Sequence, residues 1–254
     1  MTSEVSNSKN AIKTSEKSAL VIGAGDATGG AIARRFAREG YAACVTRRSA
    51  DKLAPLVQRI RDEGGQAHAF ASDARVESEM QNLVSRIEHD IAPIDVAVFN
   101  IGANVRFNVT DTTERVYRKV WEMGALAGFL MGREVAKVMI PRGRGTILFT
   151  GATASLRGSA GFSAFAGAKH ALRALSQSLA RELGPQGIHV AHIVIDGAID
   201  TAFISENFPE RYALKATDGI LNVDAIAENY WQLHQQHRSA WTHELDLRPW
   251  TEKW

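Results

Sequence analysis

Short apolar runs alternate along this chain with longer segments in which apolar residues recur every three or four positions. The first run, from Ala19 to Ile22, is apolar throughout, as in a strand buried on both faces of a sheet. After it, Ile32, Ala33 and Phe36 follow the spacing of a packed helix. This order predicts a strand, a tight turn and a helix at the start of the fold.

The same alternation continues along the chain and predicts an α/β fold, a doubly wound parallel sheet with helices on both faces. Further strands are predicted near residues 42–46, 67–71, 94–100, 145–150 and 188–194. Helices are predicted near residues 28–39, 50–63, 76–89, 112–138, 162–183 and 223–237, the last with Asp224 as its N-cap. Residues 202–222 form the longest irregular connection, which is expected over the carboxyl ends of the strands as a candidate lid.

Composition is typical of one globular domain. The chain has 254 residues, of which 45% are hydrophobic and 23% charged, and its net charge of +2 does not indicate a nucleic-acid or membrane partner. The single cysteine, Cys44, excludes an internal disulfide and a thiolate metal cluster, and its apolar surroundings predict burial. Residues 1–17 are polar and lack an apolar signal segment, so we expect a flexible leader, one domain over residues 18–254 and a cytoplasmic protein.

Histidine spacing does not predict a metal site. His189 and His192 are three residues apart in a predicted strand, so they are expected on opposite faces of the sheet. Tryptophans are concentrated near the C-terminus, at Trp231, Trp241, Trp250 and Trp254. Core packing is their common role, and covering a substrate pocket or a subunit contact is the alternative.

Glycines occupy the turn between the first strand and the first helix. Gly23 permits a backbone turn that a side chain would block, and Gly29 lets the helix lie close to the sheet. The free N–H groups of the first helical turn then face any bound diphosphate with the positive end of the helix dipole. A dinucleotide site is one interpretation, and a purely structural glycine turn is the other.

Polar residues follow the next three strands. Arg47 and Arg48 end the second strand, where an NAD-binding unit places a carboxylate for the ribose 2′-hydroxyl, and they suit a 2′-phosphate instead. This favours NADP(H), with two solvated arginines as the alternative. The sequences Asp73-Ala74 and Asn100-Ile-Gly102 suit walls around an adenine and a ribose, and also suit ordinary turns.

From about Ala19 to Thr201 these segments resemble the short-chain dehydrogenase/reductase family. The glycine motif of that family, Thr-Gly-x-x-x-Gly-x-Gly, matches residues 22–29, with Ile22 for the threonine and Ala27 for the middle glycine. Its Asn-Asn-Ala-Gly corresponds to Phe99-Asn100-Ile101-Gly102, and its strand-end aspartate to Asp73. Its Pro-Gly-x-x-x-Thr corresponds to Asp196-Gly197-Ala-Ile-Asp-Thr201, with an acid in place of the proline.

The resemblance implies a single Rossmann-type doubly wound parallel sheet and a nicotinamide cofactor, here NADP(H). It also implies a homodimer or homotetramer formed through the helices around residues 125–138 and 162–183. The implied cofactor-binding residues are Gly23, Gly25, Ala27, Thr28, Gly29, Arg47, Arg48, Asp73, Ala74, Asn100, Gly102, Lys169, Gly197, Ile199 and Thr201.

The catalytic positions of the family are mostly lost. Its Tyr-x-x-x-Lys falls on Phe165-Ala-Gly-Ala-Lys169, its serine on Ala152, and its asparagine on Gly124, or on Ala125 if the register slips. In the family mechanism the lysine lowers the pKa of the tyrosine and binds the nicotinamide ribose. Only the second role is left to Lys169.

Three functions are compatible with this pattern. The first is an NADP(H)-dependent oxidoreductase acting on a carbonyl or secondary alcohol by an atypical proton route, with Lys169, Asp196 and Thr153 as candidate catalytic residues. Asp196 is also suited to capping the turn before Gly197. Other polar residues expected near the same strand ends are Thr150, Ser155, Ser163, Asn104 and Arg106.

The second function is a catalytically inactive NADP(H)-binding module, and the third is a non-redox enzyme on the same scaffold. A small-molecule substrate is expected in the first and third cases. Phe165, Phe162 and Ala152 make the predicted pocket less polar than is usual in the family, which indicates an apolar carbonyl compound or alcohol.

Overall fold

Seven parallel strands form one sheet in the order β3-β2-β1-β4-β5-β6-β7 in a computed structural model that describes residues 15–253. The strands are β1 (Ser18–Ile22), β2 (Ala42–Arg47), β3 (Gln66–Ala71), β4 (Ile94–Phe99), β5 (Gly145–Thr150), β6 (Ile188–Ile195) and β7 (Glu244–Leu247). The first six are the predicted strands. The doubly wound α/β fold is therefore confirmed, and the carboxyl ends of all seven strands meet at one edge of the sheet.

Nine α-helices cover the sheet within the described residues. They are α1 (Thr28–Arg38), α2 (Ala54–Asp62), α3 (Glu77–Asp90), α4 (Glu114–Trp121), α5 (Ala127–Met139), α6 (Ser163–Leu183), α7 (Ala202–Asn207), α8 (Pro209–Ala213) and α9 (Val223–Gln235). Short 3-10 turns lie at Ala50–Leu53, Val109–Asp111, Ile140–Arg142, Thr153–Ser155, Gly184–Gln186, Leu214–Thr217 and Arg238–Ala240.

Apolar side chains form a core on each face of the sheet. One core joins α1, α2 and α9 to the sheet and contains the fully buried rings of Phe36 and Tyr230. The other joins α3, α5 and α6 and contains Phe99, Phe149 and the predicted buried Cys44. Burial of each such aromatic side chain stabilises the fold by roughly 2–3 kcal/mol, so the strand ends are held by packing on both faces.

Two helix predictions need correction. The helix predicted over residues 112–138 is interrupted, because α4 ends at Trp121 and a π-helical segment, Glu122–Leu126, separates it from α5. The N-cap of α9 is Asn222 rather than Asp224, since the Asn222 side chain accepts the N–H groups of Asp224 and Ala225 at 2.9 and 3.0 Å. Asp224 already lies in the first turn, where its charge suits the helix dipole.

The segment predicted to be irregular, residues 202–222, is largely helical and contains α7 and α8. Strand β7 was not predicted, because it is only four residues long and half-buried at the sheet edge. Residues 1–14 of the predicted leader lie outside the described residues, and so does Trp254. At the end of the predicted leader, the Lys17 ammonium lies 4.5 Å from the centre of the Tyr41 ring. Over residues 15–253, no helix has the length and apolarity needed to cross a membrane.

Candidate active site

The turn between β1 and α1 is close-packed and leaves a helix end open. Gly23 has a φ of +81°, and a Cβ there would lie 2.9 Å from the carbonyl oxygen of Asn100. A Cβ on Gly29 would lie 2.7 Å from the carbonyl oxygen of Gly23, so α1 approaches the strand as its glycines allow. At the N-cap, Ala27 makes no side-chain cap bond, and Thr28 opens a first turn without acidic residues. The N–H groups of that turn can therefore bind a diphosphate.

A cation at the end of β2 borders this turn. The Arg47 Nη2 atom lies 3.6 Å from the position of a Cβ on Gly25, and its Nη1 donates to the carbonyl oxygen of Lys52 at 3.4 Å. The Arg47 guanidinium therefore lies where an anion bound at the helix end would meet it. The neighbouring side chain of Arg48 is exposed.

The ends of β3 and β4 form the next wall. Asn100 donates from Nδ2 to the carbonyl oxygen of Gly23 at 3.2 Å, and its own N–H donates to that of Ile22 at 2.9 Å. These bonds fix the glycine turn. Two residues beyond Asn100 lies exposed Gly102, and Ala103 follows with a positive φ of 70°, a strained conformation of the kind often found at functional sites.

Asp73 follows β3 and is paired within its own turn. Arg75 binds both carboxylate oxygens of Asp73, at 2.9 and 2.6 Å, and holds the pKa of that carboxyl below its ordinary value. The next residue, Ala74, is buried. The half-buried carboxylate and the small residue beside it leave a polar edge at the side of the glycine turn.

Lys169 lies on α6 beneath the strand ends and is almost fully buried, at 3% exposure. Its ammonium donates to the carbonyl oxygens of Thr150 at 2.8 Å and Ile101 at 3.1 Å. An ammonium has three N–H donors, so one is left for a further acceptor. Burial lowers the pKa of Lys169 to about 8.

The other three catalytic positions of the resembled family carry no polar side chain. Phe165 lies one turn before Lys169 on α6, with its ring centre 5.9 Å from the Lys169 ammonium. Phe165 packs in a small apolar cluster that includes Ala152 and Phe162. Gly124 lies in the π-helical segment, and a Cβ there would lie 3.0 Å from the Cβ of Ala168, which leaves little room for a longer side chain.

Thr153 and Asp196 are brought together across the ends of β5 and β6. The Thr153 hydroxyl donates to Oδ1 of Asp196 at 2.5 Å, and Asp196 is 5% exposed. Arg248 lies 3.5 Å from the other carboxylate oxygen of Asp196. The structure therefore joins the two predicted residues into one hydrogen-bonded pair with a cation behind the acid.

The loop that follows Asp196 carries three of the predicted cofactor residues. Gly197 has a φ of +151°, and a Cβ there would lie 2.7 Å from the Pro249 ring. Ile199 forms a parallel bridge with Leu221. Thr201 caps α7 by accepting the N–H of Ile204 at 3.2 Å. The loop is thus ordered by its own contacts and by the C-terminal tail.

The remaining predicted polar residues are engaged elsewhere or exposed. The hydroxyl of Thr150 pairs with Tyr230 at 2.7 Å, and Ser155 is fully buried. Ser163, Asn104 and Arg106 are exposed, and the Arg106 guanidinium lies 5.9 Å from the centre of the Phe162 ring. These residues supply no second polar pair comparable to Thr153 and Asp196.

The histidines of β6 and the tryptophans make contacts of their own. His189 stacks on Trp241, whereas His192 bonds through Nδ1 to Glu244 at 3.0 Å. In residues 15–253 there is no group of three potential metal ligands. Trp231 packs edge-on against Phe36, while Trp250 is 78% exposed.

Sequence reasoning missed two parts of the site. Arg248 was not considered, because its approach to Asp196 depends on β7, which was not predicted. The carbonyl oxygens of Thr150 and Ile101 were also missed as partners of Lys169, since the backbone oxygens of a strand end carry no signal in the sequence. Only the fold brings them to one point.

Known proteins resemble this chain over most of its length. The sequence profile of the short chain dehydrogenase family matches residues 17–211. Zerumbone synthase of Zingiber zerumbet is 31% identical over 198 residues, which cover 76% of this chain and 73% of that protein. Human dehydrogenase/reductase SDR family member 4 is also 31% identical, over 74% of this chain and 67% of its own length.

Solved structures share the fold over nearly the whole chain. A short-chain dehydrogenase from Rhodopseudomonas palustris is 46% identical, with a TM-score of 0.78, and the match covers 92% of this chain and 99% of that one. A variant of the actinorhodin polyketide ketoreductase, solved with NADPH, has a TM-score of 0.84 at 23% identity, over 92% and 96% of the two chains. A metagenomic short-chain oxidoreductase in complex with NADP has a TM-score of 0.77 at 23% identity, over 93% and 98%.

Proposed function

This chain belongs to the short-chain dehydrogenase/reductase family, and from that premise we propose that it is an NADP(H)-dependent oxidoreductase of a carbonyl compound or secondary alcohol whose proton route uses no tyrosine. The observation that carries the proposal is the state of Lys169. Its ammonium is held by two carbonyl oxygens and keeps one donor for a cofactor ribose, while its two neighbours in the family mechanism are Phe165 and Ala152.

The β1–α1 turn supports the binding of a dinucleotide. Its glycines allow close backbone approach, and the uncapped first turn of α1 presents N–H groups to a diphosphate. When bound, a reduced nicotinamide supplies a hydride to a carbonyl carbon. The chain's own residues must then hold the substrate and move one proton at its oxygen.

Thr153 and Asp196 are the first candidates for that proton transfer. In alcohol oxidation, the Thr153 oxygen accepts the alcohol proton while its own proton passes to the Asp196 carboxylate, and reduction runs in reverse. Arg248 lies 3.5 Å from the carboxylate oxygen of Asp196 that does not bond to Thr153. Lys169, with a pKa lowered to about 8, is the second candidate, because it exchanges protons more readily near neutral pH than an ordinary lysine.

Asp196→Asn separates these routes. General acid–base catalysis contributes about 10²–10⁴ in rate, so we expect kcat to fall by that order while the Kd of NADPH stays unchanged. The measurement is NADPH oxidation across a panel of ketones, with NADPH binding titrated in parallel. Asp200→Asn is the matched control, because Asp200 pairs with Lys215 at 2.8 Å instead of with Thr153. An unchanged kcat in Asp196→Asn contradicts the Thr153–Asp196 route and leaves Lys169.

Arg47 and Arg48 support NADP(H) as the cofactor. Charge-assisted bonds to a 2′-phosphate contribute about 1.5–3 kcal/mol, so NADPH is expected to bind roughly ten- to hundredfold more tightly than NADH. Arg48→Asp is expected to invert this preference, whereas Arg118→Asp, on exposed α4, leaves it unchanged. Equal dissociation constants of the wild-type protein for the two cofactors would contradict the assignment.

The substrate is proposed to be apolar around its reacting carbon. Phe165, Phe162 and Ala152 pack together beside Lys169, so the polar groups that the family usually places there are replaced by hydrocarbon. An apolar ketone or secondary alcohol loses less hydration free energy on entering such a site than a sugar does.

The lost catalytic positions of the family support a second candidate, a catalytically inactive NADP(H)-binding module. Phe165, Ala152 and Gly124 remove every family catalytic side chain except that of Lys169. Tight NADPH binding without turnover of any ketone or alcohol would favour this function over the enzyme.

A further inference from the structure

Beneath the turn that carries Thr153 lies a buried histidine with an incomplete set of hydrogen bonds. His192, on β6, has an exposure of 0%, and its Nδ1 lies 3.0 Å from Oε2 of Glu244. Glu244 in turn accepts two bonds from Arg173, both at 2.6 Å. The other ring nitrogen of His192, Nε2, has no partner among the described residues.

The pairing with Glu244 determines what Nε2 can do. The Arg173 guanidinium lowers the pKa of Glu244, so its carboxylate is ionised and accepts the Nδ1–H of His192. Burial lowers the pKa of His192 to about 4, so the ring is neutral at pH 7. In this tautomer Nε2 carries a lone pair and can only accept a hydrogen bond.

Among the described residues, Ser155 lacks an acceptor for its hydroxyl proton, whereas His192 Nε2 lacks a donor. Ser155 is 0% exposed, and its Oγ accepts the N–H of Ala152 at 3.1 Å. Within the described part of the chain, its hydroxyl proton has no recorded acceptor. A buried hydroxyl without an acceptor destabilises the fold, as does a buried lone pair without a donor.

Gly151 shows that these two groups face the same small space. A Cβ built on Gly151 would lie 3.0 Å from Ser155 Oγ and would overlap the His192 ring at Nε2 and Cε1. The φ of Gly151 is not in the left-handed region, so the ring alone explains why no side chain fits there. The space between the serine and the histidine is therefore kept free by a glycine.

We propose that the Ser155 hydroxyl donates to one buried water that in turn donates to His192 Nε2, and that the chain Ser155–His192–Glu244 positions the turn that carries Thr153. Its effect reaches the site through the backbone, because Ser155 holds the N–H of Ala152 and Thr150 supplies a carbonyl oxygen to Lys169. His192 is thus a positioning residue, and its role rests on the proposed function.

The hydrogen bond is tested by ¹⁵N NMR of histidine-labelled protein. We expect His192 as the Nδ1–H tautomer, with an Nε2 signal that moves toward that of an unbonded nitrogen in Ser155→Ala. Ser18→Ala is the matched control, since Ser18 is equally buried and its hydroxyl bonds to the carbonyl oxygen of Ala92 at 3.0 Å. An Nε2 signal that is the same in wild type and Ser155→Ala overturns the bond.

The positioning role is tested by amide hydrogen exchange, which requires no turnover. His192→Asn is expected to speed exchange of the Ala152 N–H at least tenfold, although Ala152 bonds to Ser155 and not to the ring. His189→Asn, on the opposite face of the same strand, is expected to leave it unchanged. Unchanged exchange in His192→Asn overturns the role, whether or not the protein proves to be an enzyme.

Kinetics then separate the two proposals. In a protein that turns over a ketone, Ser155→Ala is expected to lower kcat about tenfold with the Kd of NADPH unchanged. A shifted His192 signal with unchanged kcat overturns the link to catalysis. Absence of turnover in the wild type, with the expected NMR and exchange results, instead contradicts the proposed function and leaves the buried chain in place.

Discussion

At the scale of single residues, the chemistry of the site depends on what burial does to Lys169. Lys169 is proposed to bind the cofactor ribose, and its burial disfavours the charged ammonium. Apart from the Phe165 ring, its recorded partners among the described residues are two backbone carbonyl oxygens. Neutral partners stabilise an ammonium less than a carboxylate does. The titration of Lys169 should therefore be measurable through the pH dependence of the free energy of unfolding.

The stability of the protein should therefore rise with pH where only the unfolded state holds the Lys169 proton. The pKa of Lys169 is about 8 in the folded protein and about 10.4 in an unfolded chain, so between these values the free energy of unfolding gains up to about 1.4 kcal/mol per pH unit. Below about pH 8 both states are protonated and the contribution is constant. Lys169→Met is expected to lose this rise.

Urea unfolding at pH 7.5 and 9.5 measures this rise in the free energy of unfolding. Cys44, Tyr41 and Tyr230 have raised pKa values through burial, and they lower stability as the pH exceeds their unfolded values of about 8.5–10. Both proteins share these groups, so the difference between wild type and Lys169→Met isolates the lysine. Parallel pH curves for the two proteins would show that Lys169 titrates normally.

Phe165→Tyr tests what the missing phenol contributes. An opposite charge within about 4–6 Å favours a phenolate, so the new hydroxyl is expected to have a lowered pKa beside Lys169. NADPH oxidation with an activated ketone is expected to rise, by about tenfold or less in the single variant, because Ala152 cannot hold the substrate oxygen. Adding Ala152→Ser is expected to give more than the product of the separate effects, since catalytic groups act as a unit.

The wild type, Phe165→Tyr, Ala152→Ser and the double variant must first be shown to bind NADPH. If the wild type already turns over its best substrate quickly and Phe165→Tyr leaves the rate unchanged or lower, the phenol is irrelevant in this chain. Asp196 then becomes the first residue to test as the proton donor.

At the scale of elements, the sequence predicted the buried strands and helices well and the short peripheral elements poorly. Strands β1 to β6 and helices α1, α3 and α6 carry clear periodicity because their burial is one-sided or complete. Strand β7 has four residues, three half-buried and one exposed, and α7 and α8 are six and five residues long. Elements this short do not complete enough turns to show a period.

The break between α4 and α5 had no visible cause in the sequence. The π-helical segment Glu122–Leu126 contains no proline, and its conformation brings Gly124 against Ala168 of α6. Such a bulge is set by tertiary packing, which single-chain periodicity does not record. The absence of the family asparagine could be read from the sequence, whereas the lack of space for it could not.

Exposed aromatic side chains on α4 and α5 are candidate contacts for the predicted oligomer, whose interface was predicted at residues 125–138 and 162–183. Tyr117, Trp121 and Phe129 are 47%, 43% and 41% exposed, although aromatic side chains of this size are usually more buried. Trp121→Glu is expected to weaken self-association at least tenfold, measured by sedimentation velocity. Val76→Glu, at an exposed position before α3, is the control. A monomeric wild-type mass at micromolar concentration would contradict the prediction.

At the scale of the whole molecule, the parallel sheet explains why distant residues form one site. Residues from the ends of β1, β2, β4, β5 and β6 converge because every strand points the same way. In the folded chain Asn100 bonds to the carbonyl oxygen of Gly23, and Lys169 bonds to that of Ile101, the residue after Asn100. The Arg248 contact with Asp196 depends on the pairing of β7 with β6, and it could only be seen in the folded chain.

We propose that this scaffold transfers a hydride from NADPH to a ketone although Phe165 stands in the tyrosine position. The most direct test uses NADPH carrying deuterium at the transferable C4 position, a panel of apolar ketones, and mass spectrometry of the alcohol products, after NADPH binding has been confirmed by titration. We expect an alcohol that carries one deuterium at its carbinol carbon, formed only when the protein is present. Saturating NADPH binding without deuterium in any product would contradict it.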